Sequence, residues 1–132
     1  MQKKFINPET MPPTFGYSHV VEVSNAKRTI YITGQVAINN IDGQIVGIND
    51  LATQTRQVFE NIKIVLEASD LNFNNVVKLT FFLTDISQMA VVRDIRDQYI
   101  DTNNPPASSA VEVRKLINDN LLIEVEAIAV AN

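Results

Sequence analysis

The feature of this sequence that most constrains its fold is an amphipathic helix pattern over positions 50–69, with strand-like segments on both sides. Apolar side chains recur there at spacings of three and four residues and form one stripe: Leu51, Thr55, Val58, Phe59, Ile62, Val65 and Leu66. A helix with a single apolar stripe has to bury it against another element. We therefore expect this helix, capped by Asn49 or Asp50, to pack on a sheet built from the flanking segments.

The flanking segments predict the element order β-β-(β)-α-β-α-β-β. Strands are expected over positions 18–23, 29–38, 76–85, 107–115 and 122–130, a short strand over 44–46, and a second helix over 87–100. Positions 24–28 are expected to join the first two strands as a hairpin, and the last two strands to form an antiparallel hairpin. Three prolines make positions 7–14 an irregular arm. Gly34, inside the second strand, indicates a bulge or a close backbone approach.

These elements predict one α+β domain spanning residues 1–132, with a mixed sheet and both helices on one face. A chain of 132 residues is long enough to bury a core without a disulfide or a metal. One helical layer leaves the other face of the sheet uncovered. Since Val77 and Phe81 are expected to make that face too apolar for water, we expect oligomerisation to cover it.

Residue counts exclude several kinds of chemistry. With no cysteine and one histidine, His19, a single chain cannot build a thiolate or multi-histidine metal site, an iron–sulfur cluster or a cysteine nucleophile. The sequence contains no nucleophile elbow, P-loop or Gly-x-Gly-x-x-Gly motif. A net charge of −4 argues against nucleic-acid binding. Without a signal peptide or a long apolar run, the expected location is cytoplasmic, with no membrane contact.

The last predicted strand carries two carboxylates, Glu124 and Glu126, in an otherwise apolar segment. Strand alternation puts both on the same face, about 6.5–7 Å apart. Such carboxylates can act in general acid–base chemistry, whereas the alternative favoured by the pattern alone is that they pair with lysines or water on an exposed face. Tyr17 either donates a hydrogen bond to a ligand or packs the arm, and His19 is expected to have no catalytic role.

Five short motifs run along nearly the whole chain: Gly16-Tyr17, Ile32-Thr-Gly-Gln-Val36, Gln54-Thr-Arg-Gln-Val-x-x-Asn61, Val77-Lys-x-Thr80, and a carboxyl-terminal block from Asn104-Pro-Pro-Ala to Glu124-Val-Glu-Ala-Ile-Ala129. In this order and spacing, the sequence resembles the Rid family of reactive intermediate deaminases, also called YjgF/YER057c/UK114.

The resemblance implies a chorismate-mutase-like α+β fold that assembles as a homotrimer, with a small-molecule cleft between subunits. It also implies hydrolysis of an enamine or imine to a carbonyl compound and ammonia, with no cofactor and no metal. Addition of water to a C=N carbon is assisted by a carboxylate that orients the water and moves a proton. The implied partners are therefore further copies of the chain and a small-molecule ligand.

Carried over residue by residue, Glu124 matches the family's water-activating glutamate, and Tyr17 and Gly34 match residues that line the cleft. The sequence departs from the family at Ser108, where active deaminases have an arginine that binds the substrate carboxylate, and at Ala110, which is often cysteine. Serine offers one neutral donor, whereas a hydrogen bond to a charged group contributes about 1.5–3 kcal/mol. Binding of a small carboxylate-bearing imine is expected to fall at least about tenfold.

Two functions are compatible with this departure. The first is a deaminase of altered specificity, acting on an imine that lacks the carboxylate or presents it differently. The second is a catalytically inactive homologue that binds a small metabolite as a regulatory module. Ribonuclease or translation inhibition, attributed to some family members, is disfavoured by the acidic charge and the single histidine.

The sequence offers no evident replacement for the missing arginine. Arg114 is expected about 20 Å from Ser108 along the same strand. Arg93 and Arg96, on the second predicted helix, are expected on the solvated surface. Arg28 is left open as a candidate.

Overall fold

In the computed structural model, which describes residues 1–132, six strands and two α-helices surround one apolar cluster. In chain order they are β1 (Gln2–Ile6), β2 (Val20–Ser24), β3 (Arg28–Val36), α1 (Leu51–Glu67), β4 (Val76–Leu83), α2 (Met89–Arg96), β5 (Ala107–Glu112) and β6 (Ile123–Ala131). Single 3₁₀ turns, Phe73–Asn75 and Ile86–Gln88, precede β4 and α2.

The main sheet has four strands in the order β3-β6-β4-β5. Strand β6 is antiparallel to both of its neighbours, whereas β4 and β5 are parallel and are joined by α2. Two consecutive strands that are joined by a helix usually pair in parallel, and β4 and β5 do so. Helix α1 packs on β3 and β6 and against α2. The predicted α+β class, with a mixed sheet and two helices, is confirmed.

Both predicted hairpins are wrong. Strand β2 pairs with β1, a strand that was not expected, and β3 pairs with β6. The last two strands are not paired with each other, because β6 is inserted between β3 and β4 while β5 lies at the edge. The burial of β6 explains this placement: alternate residues from Ile123 to Ala129 are buried in the core. A strand that contributes this much to the core is stabilised at the centre, whereas the mostly exposed β5 tolerates the edge.

Both helices form where the apolar pattern predicts them. Asp50 caps α1: its carboxylate accepts hydrogen bonds from the backbone N–H of Thr53 at 3.1 Å and from the Thr53 hydroxyl at 2.7 Å. Helix α2 is shorter than expected and ends at Arg96, because the next turn tightens through Gln98 N–H to Ile95 O and Tyr99 N–H to Arg96 O bonds. No helix of the protein is both long and apolar enough to cross a membrane.

The uncovered face of the sheet is less apolar than expected. Phe81 was expected there, but it is fully buried under the helices with Leu79 and Leu83. Val77 does not join them, because a register irregularity between Val76 and Lys78 buries Val76 instead. The face that the helices leave uncovered carries a mixture of polar, charged and apolar side chains: Tyr31, Thr33, Lys78, Thr80, Phe82, Glu124, Glu126 and Ile128.

Candidate active site

Glu124 lies beside Gly34 in the centre of the sheet. In the strand register, Glu124 pairs with Val36 of β3 on one side and with Phe82 of β4 on the other. The β3–β6 register shifts between Ile32 and Gln35, so the bulge predicted at Gly34 is confirmed. The predicted close approach is confirmed too, since a Cβ on Gly34 would lie 2.6 Å from Glu124 Oε1 and 2.8 Å from its Cδ. The carboxylate therefore occupies the space that a side chain at position 34 would need.

Neither glutamate of β6 is paired with a basic side chain. The three salt bridges of the chain involve other residues. Lys78, which shares the uncovered face with Glu126, donates a hydrogen bond to the Ser109 hydroxyl at 2.9 Å. Glu124 is half-buried and Glu126 is exposed. The lysine pairing that the pattern alone favoured is therefore absent, and Glu124 is the more enclosed of the two carboxylates.

A cavity of about 350 Å³ lies on the uncovered face beside Glu126. Its polar lining is formed by Glu126, Lys78 and Thr80 from β6 and β4, and by Tyr31 and Thr33 from β3, and Ile32, Ala127 and Ile128 complete it with apolar surface. The cavity shows that this sheet face is concave and of mixed polarity at Glu126, whereas Glu124 is not part of the lining. No three His, Asp or Glu side chains converge closely enough to hold a metal ion.

Ser108 and Ala110 belong to β5, at one edge of the sheet, and Tyr17 lies beside the start of that strand. Ser18 bridges Ala107 at the start of β5, and its N–H donates to Pro106 O at 3.1 Å while its hydroxyl donates to Pro105 O at 2.7 Å. These bonds bring the half-buried Tyr17 to the free edge of β5.

His19 holds the proline arm beside Tyr17. Its Nε2 lies 2.9 Å from Pro12 O, at hydrogen-bond distance. Its ring packs edge-on against the Tyr17 ring, with 6.0 Å between the ring centroids. Its backbone N–H donates to Asn7 Oδ1 at 2.8 Å. The single histidine thus has contacts that shape the arm.

Within one chain the candidate residues form two separate groups. Ser108 pairs with Leu79 and Ala110 with Phe81, so both side chains lie on the helix side of the sheet. Glu124 pairs with Phe82 and lies on the uncovered side. Two strand spacings and a three-residue offset separate the Cα atoms of Ser108 and Glu124 by about 14 Å. The structure therefore joins Glu124 to Gly34 and places Tyr17 beside the start of the strand that carries Ser108 and Ala110, but it does not bring the two groups into one pocket.

The expectation that Arg96 lies on the solvated surface is wrong. Its side chain is only 3% exposed, and its Nε and Nη2 both donate to Asp97 Oδ1 at 2.9 Å. Nη2 also donates to Phe15 O, at 3.2 Å. The sequence carried a signal for this burial, since Arg96 follows the buried Val92 by four residues on the apolar face of α2. Arg93 is exposed, as expected.

Asn61, on α1, holds the backbone that follows Gly34. In the sequence it is part of a family motif, with no role of its own assigned to it. Its Nδ2 donates to Val36 O at 3.1 Å and to Ile38 O at 2.9 Å, and its Oδ1 accepts from Gln57 Nε2 at 2.8 Å. The side chain therefore holds the end of β3, just after the bulge. A polar residue directly before the buried Ile62 was the signal that could have identified it.

The fold and this site define an α+β protein that presents a half-buried carboxylate on the helix-free face of a mixed sheet. The family model for endoribonuclease L-PSP matches residues 8–131. A RutC family protein of Pyrococcus horikoshii is 40% identical over 128 residues, which are 96% of this chain and 97% of the relative. A 2-iminobutanoate/2-iminopropanoate deaminase of Bos taurus is 37% identical over 129 residues, 97% of this chain and 90% of the relative.

Solved structures agree with these sequence matches. The structure of YyfB from Yersinia pestis, a Rid family protein, superposes with a TM-score of 0.90 at 38% identity and covers 98% of this chain and 99% of its own. RidA from a Psychrobacter species superposes with a TM-score of 0.72 at 33% identity, covering 96% of this chain and 98% of its own. The chain belongs to the endoribonuclease L-PSP family, which is also called the Rid or YjgF family.

Proposed function

We propose that this protein hydrolyses a small enamine or imine to a carbonyl compound and ammonia, in a cleft between subunits of a cytoplasmic homotrimer. The observation that carries the proposal is the Glu124 carboxylate, half-buried, free of any salt bridge and packed on the bare backbone of Gly34. The bovine relative, a 2-iminobutanoate/2-iminopropanoate deaminase, supports the reaction class.

The chemistry requires one proton carrier. Glu124 takes a proton from a water molecule as the water oxygen bonds to the imine carbon, and it passes that proton to the nitrogen, which receives the C=N π electrons. The resulting amino alcohol gives its hydroxyl proton to the carboxylate, which delivers it to the amino nitrogen as the C–N bond breaks, the C=O bond forms and ammonia leaves. One water is consumed, one ammonia leaves, and the carboxylate is regenerated. A positioned carboxylate contributes typically about 10²–10⁴-fold to such a step.

The separation of the two residue groups supports a cleft made by two subunits. Glu124 lies on the uncovered face against Gly34, whereas Ser108 and Ala110 lie on the helix side of β5 and Tyr17 lies beside the start of that strand. One chain cannot direct both groups at one small molecule. A second copy that presents its β5 edge to the uncovered face would do so, and would also cover the half-buried Phe82 and Ile128.

Ser108 sets the proposed specificity. It offers a single hydroxyl, while Lys78 lies on the opposite face of the sheet, bonded to Ser109, and Arg96 is paired with Asp97. A substrate carboxylate therefore meets no free guanidinium from the β5 edge. We accordingly assign the cleft to imines that lack a carboxylate or present it elsewhere. An inactive homologue that binds a small metabolite is the second candidate, and the same Ser108 favours it.

The test is an ammonia-release assay with 2-iminopropanoate generated in situ and with a small imine that has no carboxylate. Wild type, Ser108→Arg and Glu124→Gln are compared. We expect wild type to be faster on the neutral imine, and Ser108→Arg to gain at least about tenfold on 2-iminopropanoate, as expected for a new charged hydrogen bond. Glu124→Gln should be inactive on both.

Each alternative predicts a different result. If neither wild type nor Ser108→Arg releases ammonia from either imine, the metabolite-binding module is the correct function. If wild type already matches Ser108→Arg on 2-iminopropanoate, the role given to Ser108 is wrong. Light scattering tests the assembly: three times the 14.7 kDa chain mass is expected, and a monomer would remove the cleft.

A further inference from the structure

Arg96 is the one charged residue among the buried polar residues of the chain. Its counter-ion, Asp97, is 42% exposed, so the pair is only half sequestered from water. Burying a guanidinium is unfavourable unless it is paired and hydrogen-bonded, and an apolar side chain of similar volume often packs there at no loss of stability. Core stability alone therefore gives no reason for an arginine at this position.

The contacts of Arg96 point to the arm that precedes Tyr17. Its Nη2 donates to Phe15 O at 3.2 Å. Its guanidinium also fills the space where a side chain on residue 16 would lie: a Cβ on Gly16 would overlap Nη2 and come within 2.7 Å of Cζ. Gly16 has a φ of +75°, in the left-handed region that favours glycine. The arginine and the glycine thus fit each other at one contact.

Tyr17 lies between this contact and a second one. On its other side, the Ser18 hydroxyl and N–H are bonded to Pro105 O and Pro106 O. The backbone is therefore held immediately before and immediately after Tyr17, by α2 and by the start of β5. Since the direction of a side chain follows from its backbone and rotamer, these two anchors determine where the phenol points.

We propose that Arg96 is a positioning residue for Tyr17. Its guanidinium holds the backbone of residues 15 and 16 so that the phenol is presented to the cleft, without contacting substrate itself. The inference rests on the proposed function, in which Tyr17 lines that cleft.

The first test needs no substrate. Tetranitromethane nitrates accessible tyrosines, and peptide mass spectrometry gives the nitration rate of Tyr17 in each variant as a ratio to its rate in wild type. We expect a clear rise of this ratio in Arg96→Met and no change in Arg93→Met, the exposed arginine on the same helix. Gly16→Ala disturbs the same contact, because its methyl group would overlap the Arg96 guanidinium. We expect it to raise the Tyr17 nitration rate as much as Arg96→Met does. An unchanged ratio in both variants would overturn the proposal.

The second test is a double-mutant cycle on ammonia release from the small imine without a carboxylate, on which wild type is expected to be faster. Arg96→Met is expected to lower kcat/KM roughly 10- to 100-fold, the usual effect of a misplaced contact. In a Tyr17→Ala background the same change should have little further effect, because its consequence passes through the phenol. Equal losses in both backgrounds would show that Arg96 does not act through Tyr17. If wild type releases no ammonia, the proposed function fails on this substrate and the nitration ratio still decides the role of Arg96.

Discussion

The carboxylate of Glu124 rests on the backbone of Gly34, with Oε1 at 2.6 Å from the position that a Cβ would take. The bulge of β3 at this point lets a bare backbone lie under a side chain of the neighbouring strand. Because the two strands are hydrogen-bonded on either side of the bulge, the backbone of Gly34 cannot move away without disturbing the ladder, so an added methyl group has to displace the Glu124 side chain.

Gly34→Ala is expected to displace Glu124 and to lower imine hydrolysis by at least about tenfold, since small displacements of a reacting group have large effects on rate. Forcing a methyl group into this space should also reduce the free energy of unfolding by about 1–3 kcal/mol. Steady-state kinetics and urea denaturation measure the two effects.

The matched control is Gly43→Ala. Gly43 has nothing within 4 Å of its added Cβ, but its φ is +71°. It should lose roughly 1–2 kcal/mol of stability from backbone strain and no activity. Full activity in Gly34→Ala would mean that the contact with Glu124 is irrelevant to function.

The two glutamates of β6 are expected to differ in effect. Glu124→Gln keeps the shape but removes the base, so the rate should fall by about 10²–10⁴-fold. Glu126→Gln, on the exposed neighbour, should change the rate by less than about threefold. Comparable losses in both variants would indicate that the two carboxylates act as a pair.

Mixed assemblies test the proposed two-subunit cleft. Glu124→Gln and Tyr17→Ala chains, each expected to be impaired alone, are denatured together, refolded as a mixture and assayed. If one cleft takes Glu124 from one subunit and Tyr17 from the next, about a quarter of the clefts in a random mixture carry both intact residues. Recovery of no activity above that of the separate variants would place both residues in the same subunit's site.

Asn61→Ala should loosen the end of β3. It leaves the Val36 and Ile38 carbonyls without their side-chain donor, which should reduce stability by about 1–3 kcal/mol. Asn40 is exposed and lines, together with Asn61, a groove between the end of β3 and α1, so Asn40→Ala should be close to wild type. Thermal denaturation of the two variants checks the difference, and equal melting temperatures would contradict the support role of Asn61.

The Asp50 cap predicts a pH dependence. Hydrogen bonds from the Thr53 hydroxyl and N–H, in that order, hold the pKa of Asp50 below its ordinary value of 3.8. A carboxyl with a lowered folded-state pKa stabilises the protein above pH 3.8, and that contribution is lost as the pH falls through the folded-state value. Asp50→Asn should therefore be less stable than wild type at pH 7, with the difference disappearing in acid.

Chemical denaturation at several pH values follows this difference, with Asp94→Asn on the exposed side of α2 as the control. A gap between wild type and Asp50→Asn that stays constant down to pH 3 would show that ionised Asp50 has no special effect on the cap.

Local patterns were sufficient for the helices, for most strands and for Gly34. The apolar stripe placed α1 within two residues of its observed ends, because helical periodicity and capping are local properties. Gly34 was recognisable because a glycine inside a β-branched strand typically marks a bulge or a close approach of another chain segment. Strand β1 was missed, since Gln2–Ile6 contains two lysines and pairs only with the equally short β2.

The pairing of the strands and the burial of Arg96 could be learned only from the tertiary structure. The position of β6 between β3 and β4 depends on which strand buries the most side chains, and that is a comparison across the whole sheet. Arg96 is buried because α2 ends against the arm that carries Gly16, a contact between residues eighty positions apart in the chain.

By itself the sequence determined the element types, the carboxylate-bearing strand and the family, since these follow from local periodicity and from the order of short motifs. Only the tertiary structure decided that Glu124 packs on Gly34 while the Ser108 side chain lies on the other face of the sheet and Tyr17 lies at its β5 edge. The physical reason is that strand order and register assign each side chain to a face, and both are set by long-range pairing that no local pattern records.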